Sequence, residues 1–361
     1  MQCLLGSGYP IRFQQPVRLP FLVPLPHRYL LSVGQYAPPG RPRSVYRLGS
    51  ARICRLFGLH VVHLLVMKTL TVFTPTYNRA HTLERLYQSL CAQTCQDFDW
   101  LVIDDGSTDG TAALIQSFID EGRIPIRYIY KENGGLYTGY NVAYEVIETE
   151  LNVCIDSDDA MPENAVEIIL RNWKEKGSDR FAGLIGLDCY MDSGLPIGGS
   201  FPEDLSECYL LDLYTKRIHR GDSKQVMRTD LMKKVAPMIG FPGEKNFNPI
   251  YMLLQVCDEY PLFVVNEPLC LVEYQQDDSM SRNIWRQYLD SPRSFAKLRR
   301  LEMILKHNTL WNRFRSAVHY VADCHCAKDE SWFHHCPHKL LAFFAWLPGI
   351  LLFLCIKWKN S

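Results

Sequence analysis

From Leu70 onward the apolar positions alternate between two spacings. Residues 70–74 are an apolar, β-rich run. Residues 81–94 set Leu83, Leu86, Tyr87, Leu90 and Cys91 three and four apart, which predicts a helix with one buried stripe. A strand pattern at 100–103 follows. Next comes a helix with Leu114, Ile115, Phe118 and Ile119 inward, stopped by Gly122. Residues 126–130 predict a third strand. Gly134-Gly135 opens a third helix reaching about residue 150. A fourth strand is expected at 151–155, and Pro162 suits the first turn of the helix after it. A further strand is expected around 181–187. This alternation implies an α/β fold, a mostly parallel sheet with helices on both faces, and such sheets bind ligands at the carboxyl ends of their strands.

The 361 residues are 47% hydrophobic, enough for one large domain or two ordinary ones. A charged fraction of 22% and an aromatic fraction of 12% exclude a wholly disordered chain. The formal net charge is zero, whereas a dedicated nucleic-acid binder carries a basic footprint. The neutrality conceals a split. Residues 1–66 hold eight Arg and no Lys, Asp or Glu, so residues 67–361 carry 31 basic and 39 acidic groups, a net of −8.

Eight prolines between Pro10 and Pro42 interrupt every periodic segment of that leader. An Arg-rich, acid-poor stretch also suits a targeting peptide. The expectation is an unstructured or artefactual leader over 1–66, with Met67 placed as a native start would be. A domain of alternating strands and helices over 67–281 follows it, and then a basic helical region over 282–361 with an apolar C-terminal membrane-associated segment. Thirteen Cys without regular spacing read as mostly buried free thiols of a reducing compartment. Cys324-His325-Cys326 with the nearby His residues lacks the paired spacing of structural zinc.

Residues 340–356 form a run of 17 without a charged side chain, flanked by Lys339, Lys357 and Lys359. That is about 25 Å of helix against a bilayer core of about 30 Å. Pro348-Gly349 in its middle predicts a kink or a re-entrant hairpin. The expectation is peripheral attachment to the cytoplasmic face of a membrane, helped by flanking Trp, Lys and the upstream basic stretch.

Three clusters carry candidate chemistry, each after a predicted parallel strand. Asp104-Asp105-Gly106-Ser107-Thr108-Asp109 puts carboxylates and small hydroxyls at a strand end, where they can accept hydrogen bonds from a base or a ribose, or cap a helix. Asp156-Ser157-Asp158-Asp159 gathers carboxylates that repel one another unless a cation joins them, and all-oxygen ligands suit Mg²⁺ or Mn²⁺. Thr74-Pro75-Thr76-Tyr77-Asn78-Arg79 offers a rigid proline and an aromatic face on which a base can stack.

In this order the three motifs resemble those of the family 2 glycosyltransferases, which have the GT-A fold and use nucleotide-sugar donors. The resemblance covers roughly residues 68–275, and Lys131-Glu132-Asn133-Gly134-Gly135 with Asn141 fits the family's Asn- and Gly-rich segment. It implies a donor nucleotide site of Pro75, Thr76, Tyr77, Asn78, Asp105, Asn133 and Asp156, and Asp158 and Asp159 as ligands of Mn²⁺ or Mg²⁺. It also implies inverting transfer from a UDP-sugar to a glycan or lipid-linked acceptor of a surface polysaccharide. Glu244, in Gly243-Glu244-Lys245 where the family commonly has an acidic pair, is the expected catalytic base, with Asp188 or Asp192 as alternatives. Residues 275–281 resemble the family's closing loop over the diphosphate. Two other readings remain open: a nucleotidyltransferase, and a non-catalytic nucleotide-sugar-binding membrane protein.

Overall fold

In β1 (Leu70–Thr76) alternate side chains take opposite faces of the sheet. Leu70 and Val72 join one core, Phe73 the other, and all three are buried. The computed structural model describes residues 68–273 and 284–361. The 1–66 leader, the start at Met67 and the proposed closing loop at 275–281 lie outside the described residues.

The chain alternates through α1 (Ala80–Cys91), β2 (Phe98–Asp104), α2 (Thr111–Glu121), β3 (Ile126–Tyr130), α3 (Leu136–Val146), β4 (Leu151–Cys154) and α4 (Ala165–Lys176). It continues with β5 (Gly183–Tyr190), β6 (Glu207–Cys208), α5 (Leu210–Thr215), β7 (Ser223–Arg228), α6 (Thr229–Val235), α7 (Ile250–Cys257) and β8 (Leu262–Val272). The sheet order is β3-β2-β1-β4-β7-β5-β8-β6. Strands β1 to β4 pair in parallel. β7 runs antiparallel between β4 and β5, which restores β5 and β8 to the direction of β1. The carboxyl ends of β1, β2, β3, β4 and β5 therefore share one edge.

One face of the sheet is covered by α1, α2 and α4. There Tyr87 stacks on Phe118 with ring centroids 3.9 Å apart, and Trp100 lies 6.4 Å from Phe118. The Trp100 indole N–H donates to the buried Thr74 hydroxyl at 3.0 Å, so neither polar group is stranded. The other face is covered by α3, α6 and α7, through Ala143, Leu231, Met232 and Met252.

After the sheet come α8 (Ile284–Asp290), α9 (Pro292–Glu302), α10 (Leu310–Cys326), α11 (Trp332–His335) and α12 (Lys339–Lys359). Thr309 caps α10 by accepting the Asn312 N–H. Arg299 bonds Glu302 at 2.5 Å and lies 4.0 Å from Asp323, which ties α9 to α10 inside the helical layer.

Several boundaries differ from the sequence expectation. β1 runs on through Pro75 and Thr76, so both are buried strand residues and not part of the loop. α3 stops at Val146, because Ile147 turns extended (φ −70°, ψ 129°) to lead into β4. Pro162 stands before α4, whose cap is Asn164. Residues 340–356 make no hairpin: α12 continues through Pro348. An interior proline removes one backbone bond. Here packing on α10 holds both sides together, through Ala345 before the proline and Gly349 after it. A Cβ at Gly349 would lie 2.5 Å from that of Val321, so only glycine permits this approach. Cys189, Cys208, Cys257, Cys270, Cys324 and Cys336 are buried free thiols as expected, but Cys355 is exposed.

Candidate functional site

Register places the acidic motifs side by side. Asp104 is level with Thr76 across β2 and β1, and Cys154 is level with Phe73 across β4 and β1. Asp105 and Asp156 thus leave the sheet on either side of the end of β1. Strands about 4.8 Å apart put β2 and β4 about 10 Å from each other.

The loops after β1 and β2 are laced together. Asn78, at φ 53°, donates its N–H to the Ser107 hydroxyl at 2.8 Å and accepts the Thr108 N–H on its side-chain oxygen at 2.8 Å. Asp109 accepts the N–H groups of Thr111 and Ala80 and thereby joins α2 to α1. Tyr77, between these anchors, is 49% exposed, an aromatic face open to solvent at the rim.

Asp104 and Asp105 do different things. Asp104 is wholly buried, accepting from the Ser107 N–H at 2.7 Å and the Tyr128 hydroxyl at 2.6 Å. Asp105 organises the Asn- and Gly-rich segment. Its carboxylate receives the Gly134 N–H at 2.9 Å, the Gly135 N–H at 2.8 Å, the Asn133 amide at 3.1 Å and the Lys131 ammonium. Its oxygens face this loop, so a ligand here would meet the loop that Asp105 shapes. Gly135 has φ 96°, and a Cβ there would lie 2.2 Å from the Lys245 carbonyl oxygen, so this position also requires glycine. Lys245 closes the arrangement by donating to the Asn133 side-chain oxygen.

The turn after β4 is pinned from behind: Arg85 of α1 donates to the Asp158 carbonyl and pairs with Glu273 at 2.7 Å. Asp156 is exposed and Asp158 half-buried. Neither carboxylate accepts a hydrogen bond from the described residues. Asp159 points inward. It is 6% exposed, lies 3.7 Å from the Lys224 ammonium, and accepts from the Cys270 thiol at 3.5 Å. Lys224 also lies 3.9 Å from Asp188, buried at the end of β5. Burial raises Asp159 to about 6 and Asp188 to about 7, with Lys224 opposing both. Burial works against the Lys224 charge too, but Asp188, Asp159 and Asp156 outweigh it and hold the ammonium protonated. Lys224 is the member of the site that sequence reasoning missed.

These placements sort the expected metal ligands. No group of three His, Cys, Asp or Glu among the described residues converges on a point that could hold a metal. Asp156 and Asp158 accept no hydrogen bond among the described residues, and a divalent cation shared with phosphate oxygens asks the protein for only one or two carboxylates. Asp159 does not fit, because Lys224 already neutralises it.

Glu244 also has another task. Its carboxylate, 4% exposed, accepts the Arg293 N–H at 3.1 Å, the Arg293 guanidinium at 2.9 Å and the Ser294 N–H at 2.7 Å. Arg293 and Ser294 are in the first turn of α9, so Glu244 satisfies a helix N-terminus. Both oxygens are engaged, which corrects its expected role as an open proton acceptor. Of the two alternatives, Asp188 faces Lys224, whereas Asp192 is exposed just beyond β5 at the same edge as Asp156.

A cavity of ≈ 170 Å³ lies beneath Asp156, lined by Phe73, Tyr140, Cys154 and Lys224 among others. Ligand pockets usually enclose about 300–1,000 Å³, so this cavity alone is too small for a whole nucleotide-sugar. A larger hollow of ≈ 700 Å³ is lined by Glu150, Trp173 and Arg228, at the opposite edge of the sheet.

Residues 71–197 match the model of glycosyl transferase family 2. The chain is 30% identical over 115 residues to the glycosyltransferase GlyG of Streptococcus pneumoniae, a stretch covering 32% of this chain and 38% of that protein. It is 29% identical over 126 residues to the poly(ribitol-phosphate) β-N-acetylglucosaminyltransferase TarP of Staphylococcus aureus, covering 34% of this chain and 38% of that protein. The chain thus spans about two fifths of the length of these relatives. The crystal structure of S. aureus TarS 1-349 in complex with UDP superposes with a TM-score of 0.50 at 16% identity, covering 81% of this chain and 91% of that one. The complex with UDP-GlcNAc superposes equally, at 17% identity. Sheet order and comparisons agree on a GT-A-type fold, and residues 71–197 are the part of the chain that matches the family 2 glycosyl transferases.

Proposed function

We propose that this protein transfers a sugar, with inversion, from a UDP-sugar to a glycan or lipid-linked acceptor in surface polysaccharide synthesis, and that it uses Mn²⁺ or Mg²⁺. The observation that carries this reading is the meeting of the loops after β1, β2 and β4 at one edge. There Tyr77, the loop organised by Asp105, and the carboxylates of Asp156 and Asp158 all stand at the carboxyl edge of the sheet. TarP is named for sugar transfer to a phosphate polymer, and TarS was crystallised with UDP, which supports a donor of that class.

In this reading Tyr77 stacks on the base, and Asn78 and Asn133 hold the loop backbones that border the nucleoside. Pro75 and Thr76, inside β1, form the floor below it. Asp105 acts through that loop. Asp156 and Asp158 would hold the cation, which supplies positive charge to a departing nucleoside diphosphate. Inversion further requires a group that takes the acceptor hydroxyl's proton. With Glu244 engaged by α9, we assign that part to Asp192.

Product analysis tests the reading. Incubation with a panel of UDP-sugars, Mn²⁺ and a lipid-linked acceptor should release UDP and a glycosylated product. Release of pyrophosphate would favour nucleotidyl transfer. Donor binding without turnover on any acceptor would favour a non-catalytic binder.

A further inference from the structure

Half of the large, exposed apolar side chains among the described residues stand on α12. With 3.6 residues per turn, Leu340, Phe343, Phe344, Leu347, Leu351 and Leu354 fall within an arc of about 100°, and Trp358 falls inside the same arc. Each of these seven is at least 53% exposed. The buried residues Ala342, Ala345, Gly349 and Ile356 occupy the opposite side, about 180° away. That side is taken by the protein. Gly349 meets Val321, and His325 lies 5.8 Å from Phe353, so α10 and α12 run side by side in the same direction. Ile356 enters a cluster with Tyr288, Phe295 and Ala322.

The charges complete the pattern. α12 contains three lysines and no acidic residue. Lys339 and Lys357 sit about 100° to one side of the apolar arc and Lys359 about 100° to the other. Lys339 donates to carbonyls of α11, Lys357 lies over the Phe353 ring at 5.3 Å, and Lys359 lies over the Trp358 ring at 5.3 Å. Lysines along both flanks of an apolar stripe can reach headgroups when the helix lies flat, with the stripe dipping into the acyl boundary. A spanning helix would have to surrender its contacts with α10.

We propose that α12 is a membrane-docking face that lies in the plane of an anionic lipid surface, without spanning it. The occupant is fixed by complementarity: a positively flanked apolar stripe matches anionic headgroups above acyl chains. The inference does not depend on the glycosyl-transfer reading, because it rests on α12 alone.

The test is co-sedimentation of the full chain with phosphatidylcholine vesicles, with and without phosphatidylglycerol. The expected result is binding that phosphatidylglycerol strengthens at least tenfold, and release of the bound protein by alkaline carbonate. A Phe343→Ser/Leu347→Ser/Leu351→Ser variant should lose at least tenfold in partition while keeping its circular dichroism and melting temperature, since these side chains contact solvent. A Lys357→Glu/Lys359→Glu variant should lose the phosphatidylglycerol preference. Absence of vesicle binding would overturn the proposal, as would carbonate-resistant retention, the mark of a span. So would a soluble dimer, without vesicle binding, that the serine substitutions dissociate.

Discussion

The Glu244 carboxylate receives the backbone N–H of Ser294 at 2.7 Å, and this contact joins the Gly243-Glu244-Lys245 segment to the helical layer after the sheet. A buried anion on a helix N-terminus is a structural device. Removing a hydrogen bond to a charged group costs about 1.5–3 kcal/mol, so Glu244→Ala should lower unfolding free energy by about that much in urea titration. Glu244→Gln, which keeps one acceptor oxygen, should lose less. The folded fraction of Glu244→Gln should retain kcat within a few-fold. A loss of a thousandfold or more without loss of stability would return Glu244 to catalysis.

Asp105 holds Lys131, Asn133, Gly134 and Gly135 at once. Asp105→Ala leaves several of these donors without their partner and should cost about 2–3 kcal/mol of stability. Asp105→Asn should fold and, under the proposed function, bind UDP at least tenfold more weakly by calorimetry, because the loop at 131–135 loses its centre.

Tyr77 contributes little to the core, being half exposed. Tyr77→Ala should leave the melting temperature unchanged. An aromatic pair is worth about 0.5–1.5 kcal/mol beyond area burial, so UDP affinity should fall about tenfold. Unaltered affinity would remove Tyr77 from the nucleoside site.

Asp188 gives stability a pH dependence whose sign is fixed. Its folded value is raised to about 7 by burial, against about 3.9 in an unfolded chain. Between those values the unfolded chain has released a proton that the folded chain keeps. The Asp188 contribution is therefore complete below about pH 4 and is lost as pH rises through about 7. Asp188→Asn should flatten that part of the profile, so that its stability relative to the wild type is greater at pH 8 than at pH 5. Melting curves across that range are the check.

Much of the parallel half of the fold can be read from the chain, because β1 to β4 and the helices between them depend on local periodicity. Gly122 ends α2 in the left-handed conformation, a purely local requirement. What escapes is set by distant residues. Ser223–Arg228 has no strand-like alternation, yet it becomes β7 because β4 and β5 leave a slot for it. Lys224 enters the site only through that pairing, and its arrival changes Asp159 from a metal ligand into half of an ion pair. Glu244 is likewise redefined by a helix 49 residues further on. The continuity of α12 through Pro348 depends on α10, which no local pattern of residues 340–356 contains.

In the proposed function Asp158 is the half-buried carboxylate that would meet a cation on the donor diphosphate. The most direct measurement is calorimetric titration of UDP into wild type and Asp158→Asn, with and without Mn²⁺. Mn²⁺ should strengthen UDP binding to the wild type at least tenfold, and Asp158→Asn, equally stable, should lose that enhancement. Equal enhancement in the variant, or no effect of Mn²⁺ on the wild type, would contradict that role.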